Sequence, residues 1–227
     1  VQRAFTHGQT YVALSRCRTL EGMVLSAPLP QTAIIRDEAV DEYATHAIEH
    51  TPSEGQIEQL QRDYYLSVVS ELFDFRPLMD AFNRVLDLLD GHFRRSFPKL
   101  IAEYKARTGT IKTELMDVSE RFKLQYSQIV IAFADYQTSA LLQERLKKGA
   151  DYFARKITDV EELVKKTSVK TENKDVKKRY NDVFPALKEV VMQKRALLNC
   201  VKADGFTLHS YLRQRALVLA GKTISEK

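Results

Sequence analysis

The chain has 227 residues, 44% hydrophobic and 29% charged, with two cysteines, no tryptophan, 8 glycines and 6 prolines. That suffices for a core without cross-links and excludes disulfide-stapled, collagenous and disordered classes. The formal charge of +5 is uneven: residues 1–52 sum to −2 (4 Lys/Arg, 6 Asp/Glu), residues 53–143 to −2 (11 and 13), and residues 144–227 to +9 (20 and 11).

A basic last third attracts nucleic acid, acidic protein or anionic lipid through one Coulomb term, so charge alone does not choose a partner. The apolar run Ile129-Val130-Ile131-Ala132-Phe133-Ala134 is far short of the ~18 residues that cross a bilayer. No membrane partner is expected, and the location expected is intracellular, cytoplasmic or nucleoid-associated if the source is bacterial. Val1 carries no initiating Met, basic n-region or apolar h-region, which reads as a chain cut from something longer.

Gly8, Gly22, Pro28 and Pro30 crowd the first thirty residues with breakers, predicting short elements. Gly8 to Arg16 reads as a short helix, Leu20-Glu21-Gly22 as a turn and Met23–Ser26 as a strand stopped by Pro28: an α/β fragment. Asp37 opens a second short helix through about Glu49. Thr51-Pro52-Ser53-Glu54 then supplies a capping residue, proline at the first helical position and Glu three residues after the cap.

From there the period is helical. Ile57, Leu60, Tyr64, Val68 and Leu72 line one face; Leu78, Met79, Phe82, Val85, Leu86 and Leu89 line another, with Gly91 as a stop. After Pro98 follow Ile101, Tyr104, Ile111, Leu115, Val118, Phe122 and Ile129, then Ala150, Phe153, Ile157, Val160 and Val164. Val176, Tyr180, Val183, Leu187, Val190, Leu197 and Val201 close the series. Steps of threes and fours pack long helices nearly antiparallel. The Lys-rich stretch Lys165–Lys178 reads as an exposed turn, with Thr171 or Asn173 available as a cap. The expected fold is mainly α: an antiparallel bundle over residues 53–227, a short helix and linker at 37–52, and an α/β remnant of a RecA-like domain at 1–36.

The informative stretch is Gly8-Gln9-Thr10-Tyr11-Val12-Ala13-Leu14-Ser15-Arg16, followed by Leu20-Glu21-Gly22 and an apolar run. It resembles motif VI of superfamily 1B DNA helicases of the RecD-like and petite-integration-frequency type, which ends the second motor domain and faces the nucleotide. The resemblance implies that Arg16 reaches the γ-phosphate. A planar, permanently charged fork there stabilises the phosphoryl-transfer transition state and senses ATP. Gly8, Gln9, Tyr11 and Ser15 would support the motif. The implied cofactors, ATP and Mg²⁺, belong to the parent. No phosphate loop occurs in the 227 residues; Gly221-Lys222-Thr223 has the ending, but position 216 is Ala. The chain alone is therefore expected to be inactive, its partners being the parent's N-terminal motor domains and, through them, single-stranded or duplex DNA.

Weaker signals remain. His46 and His50 share one helix face but lack a third ligand, so no metal site is expected. Cys17 and Cys200 are expected as free thiols. The basic third offers Lys147, Lys148, Arg155, Lys156, Lys177, Lys178 and Arg179, interleaved with Tyr152, Phe153, Tyr180 and Tyr211. These cations are candidate phosphate contacts, although the aromatics fall on apolar faces and read rather as core, which leaves the lysines as an ordinary solvated face. The function that the resemblance implies is the C-terminal part of an ATP-dependent DNA helicase, with 5′-to-3′ polarity taken from the resemblance alone. The alternative is a helical protein-interaction or autoinhibitory module that does not touch DNA. The strand at Met23–Ser26, with its sheet neighbours lying elsewhere, is expected either to lie against the helical bundle or, the favoured outcome, to pair with a second copy and form a homodimer.

Overall fold

The structure, a computed structural model, describes residues 8–17, 23–34, 39–40, 42–43, 46 and 51–221. Two compact units make up the chain, residues 1–58 and residues 59–227. No strand forms among the described residues, and no helix among them is long and apolar enough to cross a membrane.

In the first unit, α1 (Gln9–Ser15) and a 3-10 turn (Gln31–Ala33) are joined by a hydrogen bond from the buried Thr10 hydroxyl to the Ala33 carbonyl. Residues 39, 40, 42, 43 and 46 are helical, within the short helix expected from Asp37 to Glu49; those two ends, like the turn at Leu20-Glu21-Gly22, lie outside the described residues. The expected strand at Met23–Ser26 is absent. Residues 23–25 have no regular structure, Ser26 opens a bend, and Val24 is 92% exposed. A strand needs a neighbour for its N–H and C=O groups, and none lies among the described residues. The α/β remnant expected at residues 1–36 is thus helical and irregular where described, and the strand on which an edge-paired dimer would be built is not formed within the chain.

The long helices begin with α2 (Glu54–Leu72). Its cap is Ser53, not Thr51: the Ser53 N–H donates to Gln56 Oε1 (2.8 Å) and the Gln56 N–H donates back to Ser53 Oγ (3.3 Å), a reciprocal capping box. Then come α3 (Arg76–Phe93), α4 (Pro98–Thr110), a π-helical turn (Ile111–Met116), α5 (Asp117–Ala132), α6 (Ala140–Lys166), α7 (Lys174–Asp204) and α8 (Leu208–Leu219). Pro77 and Pro98 sit in first turns, where a missing N–H costs nothing. Asn173 caps α7 by accepting from the Asp175 and Val176 N–H groups (3.0 and 3.2 Å). The seven-residue link from α6 to α7 makes these two a helical hairpin; α3 packs on α7, α4 on α3, α5 on α6, and α8 folds back on α7. Gly91 does not stop α3, which runs on to bury Phe93.

α3 carries the cleanest stripe, burying Leu78, Ala81, Phe82, Val85, Leu88, Leu89 and Phe93. Each large side chain so buried contributes about 1.5–3 kcal/mol before entropy is counted. In α2 the apolar face is turned from the one expected. Val68 and Leu72 are buried, but Tyr65 and Val69 join them while Ile57, Leu60 and Tyr64 stay exposed (43%, 62% and 52%). The Tyr65 ring decides the rotation, lying edge-on to Tyr136 (5.0 Å) and Phe206 (5.4 Å). Further along, Phe73, Phe75, Phe122, Tyr126 and Phe153 form an aromatic cluster, with Phe73 edge-on to Phe122 at 5.0 Å.

Lys194 on α7 donates to the Glu71 and Leu72 carbonyls (2.9 and 3.1 Å), closing the C-terminal end of α2, and its ammonium lies 5.7 Å from the Phe75 ring centre. Burial pushes its pKa down to about 8, against the pull of Asp74 and Glu71. The unfolded chain keeps this proton up to the ordinary 10.5, so between pH 8 and 10.5 unfolding takes up protons and stability rises with pH. Buried Tyr104 and Tyr126 act oppositely. Burial pushes their hydroxyls up from 10.0 to about 12, so their contribution is complete below pH 10 and is lost as pH climbs through 12. Urea titrations should show unfolding free energy rising from pH 8 to 10 and falling above it, with Lys194→Met abolishing the rise and sparing the fall. An undiminished rise in that variant would refute the assignment.

Candidate functional site

The motif residues gather on and around α1. Gly8 adopts a left-handed backbone (φ 70°) at the start of the helix, a conformation a side chain would strain, and its carbonyl accepts the Val12 N–H at 2.9 Å. Gln9 and Tyr11 are exposed, and the Ser15 hydroxyl donates to the Val12 carbonyl (3.2 Å). Arg16 ends the helix, exposed, and makes no ion pair among the described residues. A guanidinium presented in this way is free to meet an anion brought to it.

The basic third divides into two sets. On α6, Lys148 pairs with Glu144 (2.6 Å), Arg155 with Asp151 (3.0 Å) and Lys156 with Glu114 (2.9 Å). Lys147, also on α6, and Lys177, Lys178 and Arg179, exposed on the first turns of α7, have no ion-pair partner among the described residues. Phe153 and Tyr211 are core; Tyr152 and Tyr180 are half-buried, Tyr152 donating to the Glu114 carbonyl (3.2 Å) and Tyr180 stacking on Phe184 at 4.8 Å.

Between α5 and α6 lies a groove of about 380 Å³. Its floor is aromatic: Phe122 and Phe153 lie 6.1 Å apart, with Tyr152 edge-on to Phe153 at 5.2 Å. Gly149 makes this floor: a Cβ there would stand 2.5 Å from Phe122 Cζ, so only glycine lets the ring rest against α6. The rim carries Arg121 and Gln125 from α5 and Arg145 and Lys148 from α6. Arg121 uses Nε on the Asp117 carbonyl (3.2 Å), and neither Arg121 nor Arg145 has a carboxylate partner among the described residues.

His46 is exposed, and His50 lies outside the described residues, as do Lys222 and Thr223. No cluster of three or more His, Cys, Asp or Glu fit for a metal occurs among the described residues. Cys17 is exposed and Cys200 half-buried, both as free thiols.

A family model described as "DNA helicase, middle domain" matches residues 56–222. The chain belongs to this DNA helicase family. No curated protein and no solved structure matches it. The matched stretch of the helicase domain takes in α3 through α8 and nearly all of α2, and so both the hairpin lysines and the α5–α6 groove; Gly8–Arg16 lies outside it. Sequence reasoning about the helicase domain singled out Lys148 and Tyr152 but passed over Arg121, Gln125 and Arg145. The residues lining the groove come from two helices, and no local spacing announces them.

Proposed function

We propose that the chain is part of an ATP-dependent DNA helicase of superfamily 1B, of the petite-integration-frequency and RecD-like type, moving 5′ to 3′. The unbroken run Gly8–Arg16, standing beside a match to a DNA helicase family, carries this reading. On it, Arg16 reaches the γ-phosphate of an ATP held with Mg²⁺ by motor domains of the parent, while Gly8, Gln9, Tyr11 and Ser15 hold α1 in place. Residues 1–36 would close the second motor domain, 37–52 would link it, and 53–227 would form a helical accessory domain. Lys147, Lys177, Lys178 and Arg179, without an ion-pair partner among the described residues, suit phosphate contact best. Lys148, Arg155 and Lys156 would first have to leave their carboxylates, the exposed Lys148–Glu144 pair holding by only about 0–1 kcal/mol.

A second reading, that the helical domain recruits a protein partner or restrains the motor, is supported by the exposed Leu60 and Tyr64 on α2. Comparing DNA-stimulated ATP hydrolysis by the intact parent and by the 227-residue chain tests the leading reading. Turnover is expected in the parent alone, because the chain's sequence holds no phosphate loop. Turnover by the pure chain would overturn it.

A further inference from the structure

We infer that the groove between α5 and α6 is a binding site for single-stranded DNA, seating one base against Phe122 and Tyr152 and gripping the adjoining phosphate with Arg121 and Arg145. The inference rests on the reading that the helical domain meets the helicase's DNA. Three features point to this ligand. Two guanidiniums, one from each helix and neither in a salt bridge among the described residues, line the groove, and their planar forks suit phosphate oxygens. The floor presents the half-buried rings of Phe122 and Tyr152, and Gly149 leaves the space in which the outer end of the Phe122 ring meets α6. Gln125 adds an amide at the rim able to donate to and accept from a base edge.

The combination selects an unpaired strand. A duplex keeps its base faces stacked inside and offers only phosphates, which would leave the aromatic floor uncovered, whereas a single strand offers a π-face and a phosphate on one nucleotide unit. Tyr152 is braced for such contact: its hydroxyl is tied to the Glu114 carbonyl and its ring lies 5.9 Å from the Lys156 ammonium.

The test measures binding of a short oligodeoxythymidylate to the whole chain at several salt concentrations. Replacing Arg121 and Arg145 together by alanine should weaken binding about tenfold or more and lower the salt slope by about 1.4, two phosphates at about 0.7 each. Arg95→Ala with Lys99→Ala removes the same charge from exposed positions that neither line the groove nor belong to the proposed lysine contacts, and should change affinity less than about threefold. Because the chain has no tryptophan, Tyr152→Trp places a single indole in the groove, and its emission should be quenched as the oligonucleotide binds. This readout holds even if the double arginine variant folds poorly.

Equal losses in the two double variants would show diffuse charge attraction and overturn the site. Binding that survives loss of both arginines, or an indole that stays unquenched, would overturn it too, while leaving DNA contact by Lys147 and Lys177–Arg179 standing. Displacement of the strand by free ATP would reassign the groove to a mononucleotide. A chain that binds no DNA sinks the groove and the lysine contacts together, but not the role of Arg16, which is read from the parent's turnover.

Discussion

Arg16→Ala in the intact parent should lower the ATP turnover number by about 10³ or more while leaving nucleotide affinity within a few-fold. Negative charge on the transferred phosphoryl group is best placed for a guanidinium only as the bond breaks, so loss of the fork raises the barrier more than it weakens the ground state. Arg16→Lys keeps the charge but not the planar pair of donors, and should recover only a small part of the rate. The fold should be indifferent, since Arg16 is exposed and makes no ion pair among the described residues. Unchanged thermal melting with collapsed turnover is the expected pair of results; normal turnover would mean that another residue meets the γ-phosphate.

Leu187→Ala should destabilise the chain by about 2–5 kcal/mol. Leu187 is fully buried on α7, the helix against which α3, α6 and α8 all pack, so the lost side chain leaves a cavity that rigid neighbours cannot close. Phe122→Ala should cost a comparable amount by another route. Its ring is half-buried, but it stands edge-on to Phe73 and Tyr126 (5.0 and 5.3 Å) and fills the space that Gly149 leaves. Urea denaturation of the whole chain measures both. A loss under about 0.5 kcal/mol at Leu187 would contradict its burial.

The helical character of the chain was plain in its periodicity, but the facing of individual helices was less so. α3 could be phased from sequence because Leu78, Phe82, Val85 and Leu89 form one apolar stripe opposed by Asp80, Arg84 and Asp87. α2 could not: Tyr64 and Tyr65 are adjacent, each begins a plausible stripe, and only the distant rings of Tyr136 and Phe206 settle which turns inward. Thr51 and Ser53 posed the same ambiguity as caps, resolved by the reach of Gln56. The strand at Met23–Ser26 failed for want of a neighbour, a non-local condition that no window of sequence can report. The α5–α6 groove was illegible for the same reason, as Arg121 and Arg145 meet only through the packing of two helices.

The π-helical turn at Ile111–Met116 bears on how the chain can change length. Such a turn holds one residue more than an α-helical turn in the same span, and the hydroxyls of Thr108, Thr110 and Thr113 ease it by bonding to carbonyls four residues back. Deleting a residue within it would let an ordinary α-helix close between α4 and α5 with Tyr104 and Tyr126 still facing the core. A deletion elsewhere in α4 or α5 would turn every later side chain by about 100° and carry Tyr126 and Val130 towards water. Single-residue deletions along Pro98–Ala132 should therefore be tolerated best at this turn.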